Sequence, residues 1–249
     1  MTKEDRHKLI LREINLHNKV LSVDLSNLLN VSDDTIRRDL KELAEAGKVL
    51  KVHGGAQHPS FRSSFDSRNT IYALNEKQVI AQKTTGLFKN EMNILTEGGT
   101  TITEMAKKIP AHLHATFFTV SPQVAIILSE SSNLHVIGIG GTLNKNAYMH
   151  VGASVINQLN EIRVDLCVIG ANAFSVEAGL SDSDWEVVQV LKAMIRCAKK
   201  VAVVTISEKL NTIQRLKVCD LNSIHYLVTE LPREDPRLNP YREQNITII

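Results

Sequence analysis

Cysteine is scarce in this 249-residue chain: only Cys167, Cys197 and Cys219 occur, scattered and odd in number. Without a C-x-x-C spacing they argue against a disulfide framework and a cysteine-bound zinc ion, and read as buried thiols in a reducing compartment. No apolar run approaches the ~18 residues of a membrane span. The opening MTKEDRHKLI is charged at once, unlike a secretion signal. We therefore expect a cytoplasmic protein with no membrane partner. Net charge is also nearly lacking, at +2 from 29 Lys/Arg and 27 Asp/Glu, and residues 1–57 hold ten basic residues against nine acidic ones. Any affinity for nucleic acid must then come from where charges stand rather than from their sum. The one close histidine pair, His112 and His114, has no third ligand beside it, so no metal is expected, and no cofactor. There is no internal repeat and no low-complexity segment.

What is present divides in two. Thr2 is placed to cap a first helix that carries Leu9, Ile10 and Ile14 on one face and ends near His17-Asn18. Ser22 is placed to cap a short second helix with Val23, Leu25, Leu28 and Leu29 as its apolar set. A three-residue turn, Asn30 to Ser32, follows. Ser32 caps a third helix with Asp33 and Asp34 in its first turn, where the helix dipole favours negative charge. Ile36, Leu40 and Leu43 recur at i, i+4 and i+7, and Gly47 ends the helix. A small hairpin follows, closed by Gly54-Gly55. Residues 58–75 are polar and Ser-rich and read as a linker. From residue 76 to 249 helices alternate with short, mostly apolar strands, the rhythm of a parallel sheet covered on both faces. That reading includes a long helix over 184–199 and a short one near 214–218. The expected fold class is thus α/β, with an N-terminal winged helix-turn-helix domain (1–57, the helix-turn-helix about 20–39) followed by an α/β domain with a mostly parallel sheet.

At 100° per residue, with Ile36, Leu40 and Leu43 turned inward, Arg37 lies to the side while Arg38 and Lys41 point away from the core, and Thr35 sits on the other flank. Two helices joined by a tight turn present such a surface to the major groove, second helix N-terminus first. Arginine there offers guanine a bidentate contact. Ser32 and the helix N-terminus offer hydroxyl and N–H groups to a phosphate. The hairpin adds Lys48, Lys51 and His53 for the flanking backbone. The plainer alternative is a solvated charged face, as on most helices.

In the second part, TEGGTTITEMAKKI (96–109) is a strand end, a glycine loop and a helix start. Gly98 and Gly99 free backbone N–H groups, Thr100 and Thr101 add hydroxyls, and Glu97 opens the loop, which makes a natural seat for an anion. No lysine follows as in a nucleotide-binding P-loop, and the dinucleotide glycine spacing is missing. Thr119 and Ser121, Gly140 and Gly141, and Asn172 lie after other strands, where open α/β sheets place ligands. SDSD (181–184) starts the long helix, with Asp182 free to accept from hydroxyls. Together they suit a phosphate bearing several hydroxyls; the alternative is that they are only caps and turns.

RHKLIL (6–11), VSDDTIRRDLKELAEAGKVLKVHGGA (31–56), FDSR (65–68) and EKQVIA (76–81) resemble the DeoR family of bacterial transcriptional regulators, and the similarity continues through EGGTTITEMAKKI, IGGTLNKNAYMHVGASV, GANAFSVEAGLSDSD and AMIRCAKKVAVVTISEK. It covers nearly the whole chain. The resemblance implies sequence-specific binding to double-stranded operator DNA, usually repression, relieved by a phosphorylated sugar held in a domain like the sugar-phosphate isomerases. It also implies a homo-oligomer, dimer or higher, with paired helix-turn-helix units on paired half-sites. No catalytic residue is implied. Some positions depart from the family pattern: Glu97 replaces a usual Asp, Val120 a usual Asn, and Val187 and Leu191 stand where the long helix usually carries Glu and Lys. Glu186 and Lys192 are one residue away, rotated by 100°. Two alternatives follow: an isomerase-type enzyme using Glu97, Asp182 or Asp184, or a constitutive regulator whose sensor is vestigial.

Overall fold

A computed structural model describes residues 1–17, 19–59 and 71–249. The linker expected over 58–75 therefore lies mostly outside the described residues, as do FDSR and Asn18. The chain divides into a unit of Met1–Tyr72 and a unit of Ala73–Ile249.

The first unit opens with α1 (Lys3–His17). Thr2 Oγ1 accepts from the N–H of Asp5 (3.2 Å) while Asp5 Oδ2 accepts from Thr2 N (3.3 Å), a reciprocal cap. Leu9, expected in the core, is exposed, whereas Ile10 and Ile14 are fully buried. A three-residue strand the sequence reading missed, β1 (Lys19–Leu21), follows, and then α2 (Ser22–Leu29). Ser22 is not the cap. Leu21 occupies that position, and Ser22 is buried with its N–H bonded to Gly54 O (2.8 Å). Val23 and Leu28 of α2 are exposed; Leu25 alone anchors it fully. After α3 (Asp33–Glu45) come β2 (Leu50–Val52) and β3 (Gly55–Gln57), so the wing spans 50–57. β3 pairs antiparallel with both β1 and β2, which ties the wing to the end of α1. One apolar cluster of Ile10, Ile14, Val20, Leu25, Ile36, Leu40, Leu43, Val49 and Ala56 holds the unit together.

The second unit runs α4 (Leu74–Thr85), β4 (Asn93–Thr96), α5 (Thr100–Ala106), β5 (Ala115–Thr119), α6 (Pro122–Ser129), β6 (Leu134–Gly138), β7 (Thr142–Asn144), β8 (Met149–Val151), α7 (Ala153–Asn160) and β9 (Val164–Gly170). It continues through β10 (Ala173–Ser175), β11 (Gly179–Asp182), α8 (Trp185–Arg196), β12 (Ala198–Val204), β13 (Leu216–Cys219), β14 (Tyr226–Val228), α9 (Asn239–Arg242) and β15 (Thr247–Ile248). The main sheet has the order β15-β14-β12-β9-β4-β5-β6, all parallel. Its inner strands are mostly apolar because both faces are covered. Leu95, Cys167, Ile169, Val201 and Val203 join Val188, Leu191 and Met194 of α8 in the largest cluster. Phe174 stacks on Tyr241 with centroids 5.3 Å apart.

The segment 214–218, expected as a helix, instead contributes to β13, the edge of an antiparallel β10-β11-β13 sheet. Leu216–Cys219 alternates Leu and Val with Lys and Cys, a period-two pattern too short to outweigh a helix reading until β11 supplies a partner. The small β7-β8 hairpin was also missed. No helix among the described residues is long and apolar enough to cross a membrane.

Candidate functional site

In the first unit the candidate surface is built on α3. Ser32 Oγ accepts from Thr35 N (3.2 Å) and lies 2.8 Å from Thr35 Oγ1, so the two candidate hydroxyls already bond each other. At the other end Gly47 adopts φ +69°, and the N–H groups of Gly47 and Lys48 reach Ala44 O (3.0 Å) and Leu43 O (2.9 Å). That is a Schellman closure, which only a residue at ease with positive φ accepts cheaply. With both ends satisfied and Ile36, Leu40 and Leu43 buried, the outward arc carries Arg37, Arg38 and Lys41, all exposed. Arg37 pairs with Asp33 (2.8 Å) and Lys41 approaches Glu45 (3.8 Å), both one turn apart on the open surface where such pairs are weak. Arg38 is exposed with no ion pair among the described residues. Lys48, Lys51 and His53 are exposed on the wing.

The sequence reading missed what seats α3. Asp39, almost wholly buried, receives Arg6 Nε (2.5 Å) and Nη2 (3.0 Å) in a two-pronged pair and lies 3.1 Å from His7 Nε2. Burial opposes its charge, but the Arg6 and His7 hydrogen bonds prevail and hold its pKa below the ordinary carboxylate value. The signal was available: at 100° per residue Asp39 lies only about 40° from Leu43, at the border of the buried stripe.

In the second unit the strand order reverses direction between β4 and β9. From β4 the chain builds outward through β5 and β6, and from β9 outward through β12, β14 and β15. Open sheets open a crevice at such a switch, beyond the carboxyl ends of the strands. Glu97 follows β4 there, and its Oε1 accepts a very short hydrogen bond from the N–H of Gly170 at the end of β9. A Cβ on Gly170 would stand 2.9 Å from that oxygen, so any larger residue there would push the Glu97 carboxyl aside. Burial pushes Glu97 up to about 8, with nearby Asp182 raising it further, while the Gly170 bond and Lys209 oppose. Asp182 is raised by burial too, although it accepts from the N–H groups of Ser183 (2.6 Å) and Asp184 (3.0 Å) and from the Asn172 side chain.

Two lysines absent from the sequence-derived set join them. Lys209 Nζ donates to Ala171 O (2.9 Å), and burial lowers it to about 8 against the pull of Asp182 and Glu97. Lys77 of α4 is buried and lowered to about 7, first by desolvation and then by Lys209, with Glu104 and Glu76 opposing. Thr96, the last residue of β4, is wholly buried, and its Oγ1 has no hydrogen-bond partner among the described residues.

The structure thus brings Glu97, Asn172 and Asp182 together around Gly170 and Lys209. Gly98 abuts Ser121: a Cβ there would meet Ser121 Oγ at 3.1 Å. Ser121 caps α6 through Val124 N (3.4 Å), and its N–H bonds Thr119 Oγ1 (3.1 Å), so these two hydroxyls also serve the strand-to-helix turn. Gly99 (φ +91°) precedes α5, whose first residues Thr100 and Thr101 are half-buried. Gly140 and Gly141 do different work. Gly140 O accepts from Gln158 Nε2 (2.7 Å), and Gly141 lies against Val155 and the Val151 carbonyl, which seats α7 and β8. Asp184 caps α8 (Glu186 N, 3.1 Å) and is held by Asn144 Nδ2 (3.2 Å). Val187 and Leu191 are buried in the main apolar cluster. No three potential metal ligands cluster among the described residues.

Comparison with known proteins follows the same division. The DeoR-like helix-turn-helix domain matches residues 6–61, and the DeoR C-terminal sensor domain matches residues 73–231. The HTH-type transcriptional repressor GlcR of Bacillus subtilis is 30% identical over 94% of this chain and 91% of its own length. The HTH-type transcriptional regulator GolR of Listeria innocua is 29% identical over 91% and 90%, and the glycerol-3-phosphate regulon repressor of Haemophilus influenzae 27% identical over 92% and 90%. Among solved structures, ribose 5-phosphate isomerase A from Methanocaldococcus jannaschii overlaps 54% of this chain at 16% identity with a TM-score of 0.40. The chain spans about half of that enzyme (53%), an overlap from which no shared activity follows.

Proposed function

Since the chain belongs to the DeoR family of helix-turn-helix transcriptional regulators, we propose that it represses a carbohydrate-related operon and that a phosphorylated sugar or similar metabolite modulates its grip on the operator. The observation that carries the DNA-binding half is the outward arc of α3. Arg37, Arg38 and Lys41 stand exposed on a helix whose ends are closed and whose opposite face is packed. In this reading Arg38 and Arg37 reach base edges with Thr35 and Ser32 beside them, and Lys41, Lys48, Lys51 and His53 hold phosphates.

The effector half rests on charge. Lys77 and Lys209 converge on a crevice whose carboxyls, Glu97 and Asp182, are both biased by burial toward their neutral forms. Burial lowers the lysines as well, but where they keep their protons beside neutralised acids they suit an anion. The acids and Asn172 remain to bond hydroxyls, with the Gly98–Thr101 turn as the phosphate seat. An anion bound there would shift the population between an operator-binding arrangement and a released one. The vestigial-sensor alternative draws on Val187 and Leu191, which put aliphatic side chains where the family's pair of charges would be. The presence of Lys77 and Lys209 at the crevice favours a working site.

Arg38→Ala is expected to weaken operator binding by about 1–3 kcal/mol and relax base preference, with the melting temperature unchanged. Fluorescence anisotropy on operator and scrambled duplexes checks this; unchanged discrimination would remove Arg38 from the reading groups. A thermal-shift screen is expected to show stabilisation by sugar phosphates and none by the free sugars.

A further inference from the structure

The main sheet has two edges, and they are built differently. β15 is two residues long. β6 is five residues long, reads LHVIG, and holds no lysine, proline or other charged residue of the kind that blunts an exposed edge. Among the described residues no strand pairs with its outer side. Ile139 N donates to Thr119 O (2.8 Å) just beyond the strand. In a parallel pair alternate residues turn both backbone groups to the same neighbour, so Ile137 and His135 also face β5 while Val136 and Gly138 turn theirs outward. Leu134, Val136 and Ile137 are only half-buried, in contrast to Ile94 and Leu95 on central β4, which are fully buried. α6 packs over β6 and β5, and its Ile126 is 56% exposed.

We infer that β6 pairs antiparallel with β6 of a second copy of this chain, across a two-fold axis at Val136, so that two sensor sheets continue into one. The strand is its own complement. With Val136 opposite Val136, each outward N–H meets the other's C=O. Gly138 then faces Leu134, and His135 and Ile137 fall opposite each other as the close, non-hydrogen-bonded pairs. No like charges meet at the axis, because the strand has none of the four always-charged residues.

Sedimentation velocity of the full chain, without DNA or effector, keeps this test apart from the proposed function. The 27.7 kDa chain is expected to sediment at twice its mass or a multiple of that. Val136→Pro removes an outward N–H that β5 does not use, a position where an edge tolerates proline. It is expected to weaken association about tenfold or more, with the circular dichroism spectrum and melting temperature of the dissociated chain retained. As a second readout, the double variant His135→Cys with Ile137→Cys is expected to form a covalent dimer under mild oxidation, while neither single variant does. A monomeric wild type, a Val136→Pro chain as associated as wild type, or a double variant that fails to cross-link overturns the inference.

Discussion

At the scale of single residues, the sensor crevice is tuned by burial. Lys77 is held near 7 and Lys209 near 8, so both lose their positive charge as pH rises through that range. Glu97, held near 8, gains a negative charge over the same interval. All three changes oppose an anionic ligand. A sugar phosphate is already largely dianionic above about pH 6.5, its second pKa being near 6. Its affinity is therefore expected to fall by about tenfold or more from about pH 6.5 to about pH 8.5, as isothermal titration calorimetry would measure. A flat profile would separate these lysines from the ligand. In the free protein the same shifts act on stability with opposite signs. Glu97, raised from 4.5, contributes stability that is lost as pH climbs from 4.5 to about 8, whereas the lysines, lowered from 10.5, contribute stability that is gained above about 7 to 8.

At the scale of the element, α3 is held by more than its aliphatic stripe. Asp39 ties it to Arg6 and His7 of α1, and Lys3 adds an outer pair to Glu42 (2.5 Å). The inner pair is part-buried, Asp39 more deeply than Arg6, so removing the carboxylate charge leaves Arg6 without its partner, which is a costly change. Asp39→Asn is expected to destabilise the first unit by about 3 kcal/mol, read from the lower melting transition of the full chain. Because Asp39 is lowered from 3.8, its contribution is present above that value and is lost as pH falls through its depressed native pKa. The expected penalty of Asp39→Asn therefore vanishes in acid, and a penalty that persists at the lowest pH would assign the loss to shape rather than charge.

At the scale of the whole molecule, a repressor that presents paired helix-turn-helix units reads half-sites about one helical turn apart. Inserting five base pairs between the half-sites is expected to abolish cooperative binding by turning one site to the opposite face of the duplex, and ten to restore much of it. Gel-shift titration on the spaced operators distinguishes this from binding by independent single units, which would be indifferent to phase. The family matches cover 6–61 and 73–231, and the structure divides after Tyr72.

Local chemistry was legible from the residues alone. The Ser32 cap, the Gly47 stop, the Ile36-Leu40-Leu43 stripe and the alternation of helices with aliphatic strands each rest on groups within a few positions of one another, where hydrogen-bonding and 100° or 180° periodicity decide the outcome. Long-range pairing was not. β1, β7 and β8 are three residues each, too short to carry a period, and β13 became a strand because β11 lies beside it. Asp39 found Arg6 across 33 positions, and Lys209 came to Glu97 across 112. Those meetings depend on which strands neighbour which in the sheet, and burial in the packed interior is what then moves the lysines and carboxyls away from their ordinary pKa values.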